Sequence, residues 1–244
     1  GCCTSCRTCA ISSTAWRSCC RDAVAGQVAI HRAGKDYLPR LKEESDDDYR
    51  ARLCRSDFFN ATYRTTSALT GMAFSKPPVV KLPPAIEAWK DDIDLAGVNL
   101  DALAEQVVEE VLEVGRVGLL VDHPPAAATP ISQAAAEAQG MRPSIQLYPT
   151  EAIRNWKTGR VANRVVLTQV VLGECEAVPE DEFKSKAEDR YRVLDLDEKG
   201  VYRQRLFMVV DGKDVQIGGD IYPQMNGRPM TAIPFLIVGR SGKG

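Results

Sequence analysis

From residue 144 onward the sequence is a succession of β-branched and aromatic runs, and this stretch restricts the fold more than any other feature. The runs occupy 144–148, 161–172, 191–196, 201–210, 215–217 and 233–238. Val, Ile, Thr and Tyr in short stretches suit a pleated surface, because branching at Cβ costs rotamer freedom in a helix and packs well on a strand. Polar or glycine-bearing segments punctuate the runs: Lys157-Thr158-Gly159, Glu198-Lys199-Gly200 and Asp211-Gly212-Lys213. The last two have the composition of hairpin turns, each with a glycine available for positive φ. The final hundred residues are therefore expected to form a mostly antiparallel sheet.

Upstream the period changes. Leu100, Leu103, Val107, Val111 and Val114 recur every three or four residues, with Glu105, Glu109, Glu110 and Glu113 mostly on other faces. That is the spacing of a helix with one apolar stripe. Gly115 closes it, and 117–122 reads as a buried strand, so helix, glycine and strand predict an αβ unit. Residues 124–143 form an insert rich in Ala, Pro and Gln. Within it Thr129 as a cap, Pro130 in the first helical position and Gly140 as a stop predict a short helix over 130–139.

Nearer the N-terminus a helix is predicted over 18–33, with Val24, Ala25 and Val28 on one face and Gly34 at its end. Residues 37–41 read as an extended connector, because Pro39 disfavours helical backbone in the residue before it. The strongest helical signal starts at Ser45, an N-cap hydroxyl followed by Asp46, Asp47 and Asp48 at the positive end of the helix dipole. Tyr49 with Leu53 and Phe59 with Tyr63 are i,i+4 pairs, and Thr66, Leu69 and Met72 continue the helix. Gly71 is a candidate break and Pro77-Pro78 its end. Arg50, Arg52, Arg55 and Arg64 interleave with acids, which predicts a solvated, ion-paired face rather than a nucleic-acid surface. The chain thus divides into a Cys-rich tail (1–20), a helical region (21–82), a helix-strand unit carrying the insert (83–150) and a β-rich region (151–244). The fold class expected is α+β.

The search for chemistry returns little. The two histidines, His31 and His123, lie in different segments and outside any metal-ligand spacing. No G-x-S-x-G elbow is present. The terminal segment Gly239-Arg240-Ser241-Gly242-Lys243-Gly244 has Ile237 where a phosphate-cradling loop needs glycine, and Gly244 where it needs Ser or Thr. Asp46-Asp47-Asp48 does not converge on a cation, because consecutive helical residues point about 100° apart. Asn60-Ala61-Thr62 matches a glycosylation sequon but falls within a predicted helix. Arg154, Lys157 and Arg160 are basic and loop-adjacent, and solvent exposure explains them as well as contact with DNA does. Six of the eight cysteines, Cys2, Cys3, Cys6, Cys9, Cys19 and Cys20, crowd the first twenty residues. Their C-x2-C spacing is the one metal- or thiol-like pattern, but no second ligand pair accompanies it. No catalytic, cofactor-binding or metal-ligating residue is assigned. A net charge of -2 argues against a protein that coats nucleic acid. No apolar run approaches the roughly 18 residues of a membrane span, and no signal-peptide core is evident, so an intracellular protein without membrane contact is expected.

An ordered series of residues adds a further reading. Tyr37-Leu38-Pro39-Arg40-Leu41 is followed by Glu44-Ser45-Asp46, Tyr49 and Arg52-Leu53. Then come Phe58-Phe59-Asn60-Ala61, Thr65, Gly71-Met72, Phe74 and Lys76-Pro77-Pro78. The series continues with the step from Gly115 through Asp122, then Tyr148-Pro149, Ile153, Asn155-Trp156, Tyr191-Arg192-Val193-Leu194, Tyr202-Arg203-Gln204-Arg205 and Ile233-Pro234-Phe235. Over residues 21–240 it resembles a portal-like family of tailed bacteriophages and prophages. Its strength lies in the order of many weak motifs.

The resemblance implies the wing-like part of a structural subunit. Such subunits form a dodecameric ring at one capsid vertex that lets DNA through without reading its sequence. The ring meets capsid protein, terminase and the neck and tail proteins, first in the host cytoplasm and then in the virion. It implies no reaction and no cofactor. Portal subunits continue into stem helices and a clip, which the resemblance places beyond Gly244. The Cys-rich first twenty residues lie outside it. Two other readings stand beside this one: a metal- or thiol-dependent redox module built on the N-terminal cysteines, and another phage virion or adaptor protein with a similar fold.

Overall fold

The computed structural model describes residues 38–56, 59–124, 141–161, 163–179, 184–210, 212–225 and 227–239. The helix predicted over 18–33, His31, the Cys-rich tail, the helix predicted over 130–139 and residues 240–244 lie outside them. Three α-helices and ten strands in antiparallel sheets make up the described residues, an α+β fold. The chain divides into two compact units, one drawn from residues 1–81, 104–116 and 239–244, the other from 82–103 and 117–238.

The first unit contains α1 (Asp46–Arg55) and α2 (Ala61–Ala73). Ser45 caps α1 as expected, its hydroxyl accepting the Asp48 N–H at 3.1 Å, with the three aspartates in the first turn. The single long helix read from the sequence is in fact two. Ser56 turns extended, and Asn60 opens a second helix by accepting the Tyr63 N–H at 2.9 Å. The i,i+4 spacing of Phe59 and Tyr63 concealed this, because an asparagine side chain that captures an orphan N–H favours a cap over a helix interior. Gly71 does not break α2, which runs on to Ala73. Ahead of α1, Arg52 grips Glu44 with Nε–Oε1 at 2.7 Å and Nη2–Oε2 at 2.8 Å, and Tyr49 donates its hydroxyl to the Leu38 carbonyl at 3.1 Å. Two residues of one helical face thereby fasten the connector.

The helix α3 (Leu100–Val114) begins where Asn99 Oδ1 accepts the Ala102 N–H at 2.8 Å. It ends at Gly115, whose φ of 89° only glycine adopts without strain. The strand β1 (Arg116–Asp122) follows at once, so the αβ step is as read from the sequence.

The second unit is built on two sheets. β1 pairs antiparallel with β2 (Ser144–Pro149), from Val117 opposite Pro149 to Asp122 opposite Ser144. On the other edge of β1 lies β10 (Phe235–Gly239), giving the order β10-β1-β2. The second sheet is a five-stranded antiparallel meander: β3 (Ile153–Val161), β4 (Arg164–Pro179), β5 (Ser185–Leu196), β6 (Tyr202–Val210) and β7 (Lys213–Ile221). A two-stranded ribbon of β8 (Gln224–Met225) and β9 (Arg228–Pro229) follows.

Both expected hairpin turns are present. At 197–201 Asp197 Oδ1 accepts the Lys199 and Val201 N–H groups, and Gly200 takes φ 76°. At the next turn Val210 pairs with Lys213, and Gly212 takes φ 74°. The third punctuation, Lys157-Thr158-Gly159, is no turn. It lies inside β3, a strand that the sequence reading missed, and the chain reverses later, where Asn163 adopts φ 62°. Asparagine tolerates that left-handed backbone because its side chain bonds locally.

One cluster of buried residues spans both sheets: Leu120, Tyr148, Ile153, Val170, Leu172, Leu194, Tyr202, Ile233 and Phe235. Each such side chain contributes roughly 1.5–3 kcal/mol when fully withdrawn from water. The alternation needed to build this face is maintained by a bulge. Lys157 faces Gln169 but Thr158 faces Leu167, so Thr168 is an extra residue. Leu167 and Val170, three apart and of opposite parity in a regular strand, thereby both pack on the core.

Candidate functional site

Between the two sheets of the second unit lies a connected set of polar side chains, each delivered by a strand position whose neighbours point into the core. Arg192 on β5 shares its face with Leu194, and Gln204 on β6 sits between Tyr202 and Leu206 on theirs. Arg192 Nε donates to Glu174 Oε1 at 2.7 Å and Nη2 to Oε2 at 3.3 Å. Tyr148 on β2 donates its hydroxyl to the same Oε1 at 2.6 Å. Arg192 Nη1 also donates to Gln204 Oε1 at 3.0 Å and reaches Asp122 Oδ2 at 3.5 Å. Gln204 completes the circuit, its Nε2 donating to Asp122 Oδ1 and to the Tyr202 hydroxyl oxygen, both at 2.9 Å.

The pattern dictates the residue types. Gln204 must accept from a guanidinium and donate to a carboxylate, which a carboxamide does and an acid cannot. Arg192 must serve two acids in one plane, which its forked donors allow. Two carboxylates face one guanidinium, and the Tyr148 hydroxyl and Gln204 amide supply the remaining donors. Burial, together with the nearby Glu174 charge, pushes the Tyr148 hydroxyl pKa well above its ordinary range. Burial does the same for Tyr202, with the Gln204 hydrogen bond opposing. Both phenols therefore stay protonated at neutral pH and act as hydrogen-bond donors or acceptors. Burial lowers the pKa of neighbouring His123, with Asp122 opposing. The arrangement ties β1 and β2 to β4, β5 and β6 through directional bonds beside the apolar cluster.

The opposite face of the meander carries a second polar group. Asp195 accepts from Arg203 Nε at 2.9 Å and Arg205 Nη2 at 2.5 Å, and Arg203 Nη1 reaches Asp220 Oδ2 at 2.9 Å. The Gln216 amide, then Arg203, hold the Asp220 carboxyl below its usual value. Beside this ladder an open hollow of about 370 Å3 is lined by Val171, Tyr191, Val193 and Phe207, with Arg205 and Asp214 at its margin.

Residues singled out in the sequence are dispersed. Asp46, Asp47 and Asp48 lie in the first turn of α1, and Asn60 caps α2. Arg52 is bound to Glu44, while Arg64 lies over the Phe59 ring at 4.9 Å. Cys54 and Cys175 are free and exposed. Arg154, Lys157 and Arg160 project from β3, a strand and not a loop. Among the described residues, no three His, Cys, Asp or Glu side chains are grouped to hold a metal ion, and no helix is long and apolar enough to cross a membrane. The N-terminal cysteines lie outside the described residues. The inter-sheet circuit was missed as a unit, since Arg192, Tyr202 and Gln204 entered only as pieces of a motif. The available signal was a charged or amide residue at an inward parity position between apolar ones.

Comparison with known proteins finds no family model that matches the chain and no matching curated protein.

Proposed function

We propose that this chain is the wing-like part of a phage portal subunit, a structural element of a ring through which DNA is packaged and ejected, with no reaction of its own. One observation carries the reading. Asp122, Tyr148, Arg192, Tyr202 and Gln204 belong to segments that bear the resemblance, and they come together in one inter-sheet circuit. Weak motifs scattered over more than eighty residues acquire a shared physical reason, that of locking two sheets into a rigid unit. A load-transmitting ring has use for such a unit. The partners that go with this role are further copies of the subunit, capsid protein, terminase and neck or tail proteins.

The test is electron microscopy of the product of the complete reading frame that contains residues 21–240. Closed rings with rotational symmetry support the proposal. A monodisperse monomer at assembly concentrations overturns it.

A further inference from the structure

We infer that the β3–β4 hairpin is a docking surface for the phosphate backbone of duplex DNA. Residues 152–173 contain Arg154, Lys157, Arg160 and Arg164 and no Asp or Glu, in a chain whose acids outnumber its bases by 33 to 31. The structure places all four cations on two paired strands, with β3 the edge of the five-stranded sheet. All four residues are exposed. Several arginines elsewhere in the described residues are matched by acids: Arg40 with Asp46, Arg52 with Glu44, Arg192 with Glu174, Arg203 and Arg205 with Asp195. Among the described residues none of the four side-chain cationic groups makes an ion pair or a hydrogen bond.

The nearby acids on β5 and its turn are already engaged. Asp195 is held by two arginines, and Asp197 accepts two N–H groups of its own turn. Neither of these two acids is therefore left to neutralise the hairpin cations. Arg154 reinforces the pattern. Its guanidinium lies over Gly173, where an added Cβ would come within 2.8 Å of Nε, so a side-chain-free position on β4 makes room for it.

Spacing favours a duplex over an acidic polypeptide. From Arg154 to Arg160 a strand rises about 20 Å, at roughly 3.3 Å per residue. A duplex presents one phosphate charge per ~1.7 Å of axis, so cations held on both faces of an edge strand, as the alternation of Lys157 and Arg160 places them, find partners in any register. An acidic peptide must bring several carboxylates to matched positions and order itself to do so. Three of the four cations are arginines, whose planar forks suit phosphate oxygens. Asn155 and Thr158 on the same strand add neutral groups of the kind that contact the backbone. This surface stands whether or not the chain forms rings.

The test is fluorescence anisotropy of a labelled 20-base-pair duplex titrated with the 244-residue chain across a salt series. Binding is expected with a log–log salt slope of about -3.6, the value for four neutralised phosphates. R154Q/K157Q/R160Q/R164Q should weaken it at least tenfold. K76Q/K81Q/K199Q/K213Q, with the same change in net charge at other exposed lysines, should leave most of it. Should the first variant misfold by circular dichroism, K157Q/R160Q alone should still lower the slope by about two. No binding at low salt, equal loss in both quadruple variants, or competition by polyglutamate as effective as that by unlabelled duplex would each overturn the inference. The last outcome would assign the surface to an acidic protein.

Discussion

Arg192 and Glu174 meet in a two-point ion pair, Nε to Oε1 at 2.7 Å and Nη2 to Oε2 at 3.3 Å, in the seam between the sheets of the second unit. Their side chains retain 24% and 23% of their exposure, so water screens the pair only in part. Removing one partner leaves the other charged and poorly solvated, a heavier penalty than the pair's own net worth.

Arg192→Leu should therefore lower unfolding free energy by about 3 kcal/mol, at the low end for a broken buried pair. Asp122 and Glu174 would then both lose their cation. R192L/E174L should recover a substantial share of the loss, since no unpaired Glu174 remains. Urea denaturation of the two variants checks this. An R192L change within the roughly 0.5 kcal/mol of ordinary surface substitutions would remove the circuit from any account of rigidity.

Gly118 on β1 faces the ring of Phe235 on β10. A Cβ at Gly118 would overlap the Phe235 ring and come within 3.1 Å of Ile153 Cδ1. Gly118→Ala should cost about 1–3 kcal/mol through overpacking. Adding Phe235→Leu should restore part of it, although Phe235→Leu alone is destabilising. Thermal melts of the three variants read this out, and additive losses would show that the two sites do not share space.

Asn60 marks the helix start that the sequence concealed. Asn60→Ala removes the acceptor for the Tyr63 N–H and should cost about 1 kcal/mol, whereas Asn60→Asp should retain the cap. Hydrogen exchange at the first amides of α2 should accelerate in the alanine variant only. Unchanged exchange would mean that packing, rather than the cap, sets the boundary.

Glu44 supplies a pH signature. The Arg52 hydrogen bond, against an opposing desolvation effect, pulls its carboxyl from an ordinary 4.5 to about 2. The folded state thus prefers the ionised form, and the unfolded chain takes up its proton first on acidification. The resulting stabilisation is fully present above pH ~4.5 and fades as pH falls towards ~2. Backbone amide shifts of α1 should report loosening in that window. Glu44→Gln should abolish the window and leave the connector loose already at neutral pH. A variant that retains the transition would trace it to another carboxylate.

Much of the architecture was legible because it is local. The 3.6-residue period of 100–114, the stop at Gly115 and the turns around Gly200 and Gly212 follow from backbone preferences that neighbouring residues carry within a few positions. Failures came where a local signal had two readings. Lys157-Thr158-Gly159 has turn composition, yet pairing with β4 holds it extended. Phe59 and Tyr63 have helical spacing, yet Asn60 between them captures an N–H and starts a new helix.

The sequence by itself determined the class, a helical first part and a hairpin-linked β second part, because period and turn chemistry are properties of adjacent residues. Only the tertiary structure decided which side chains meet. Asp122, Tyr148, Glu174, Arg192 and Gln204 are separated by up to 82 positions and are joined by strand register. Register depends on pairings and bulges distributed along whole strands, and a one-residue slip would send every member of the circuit to the opposite face. The β-branched runs that opened the sequence reading specify that strands form. The bulge at Thr168, which no run reveals, specifies which of their residues face the core.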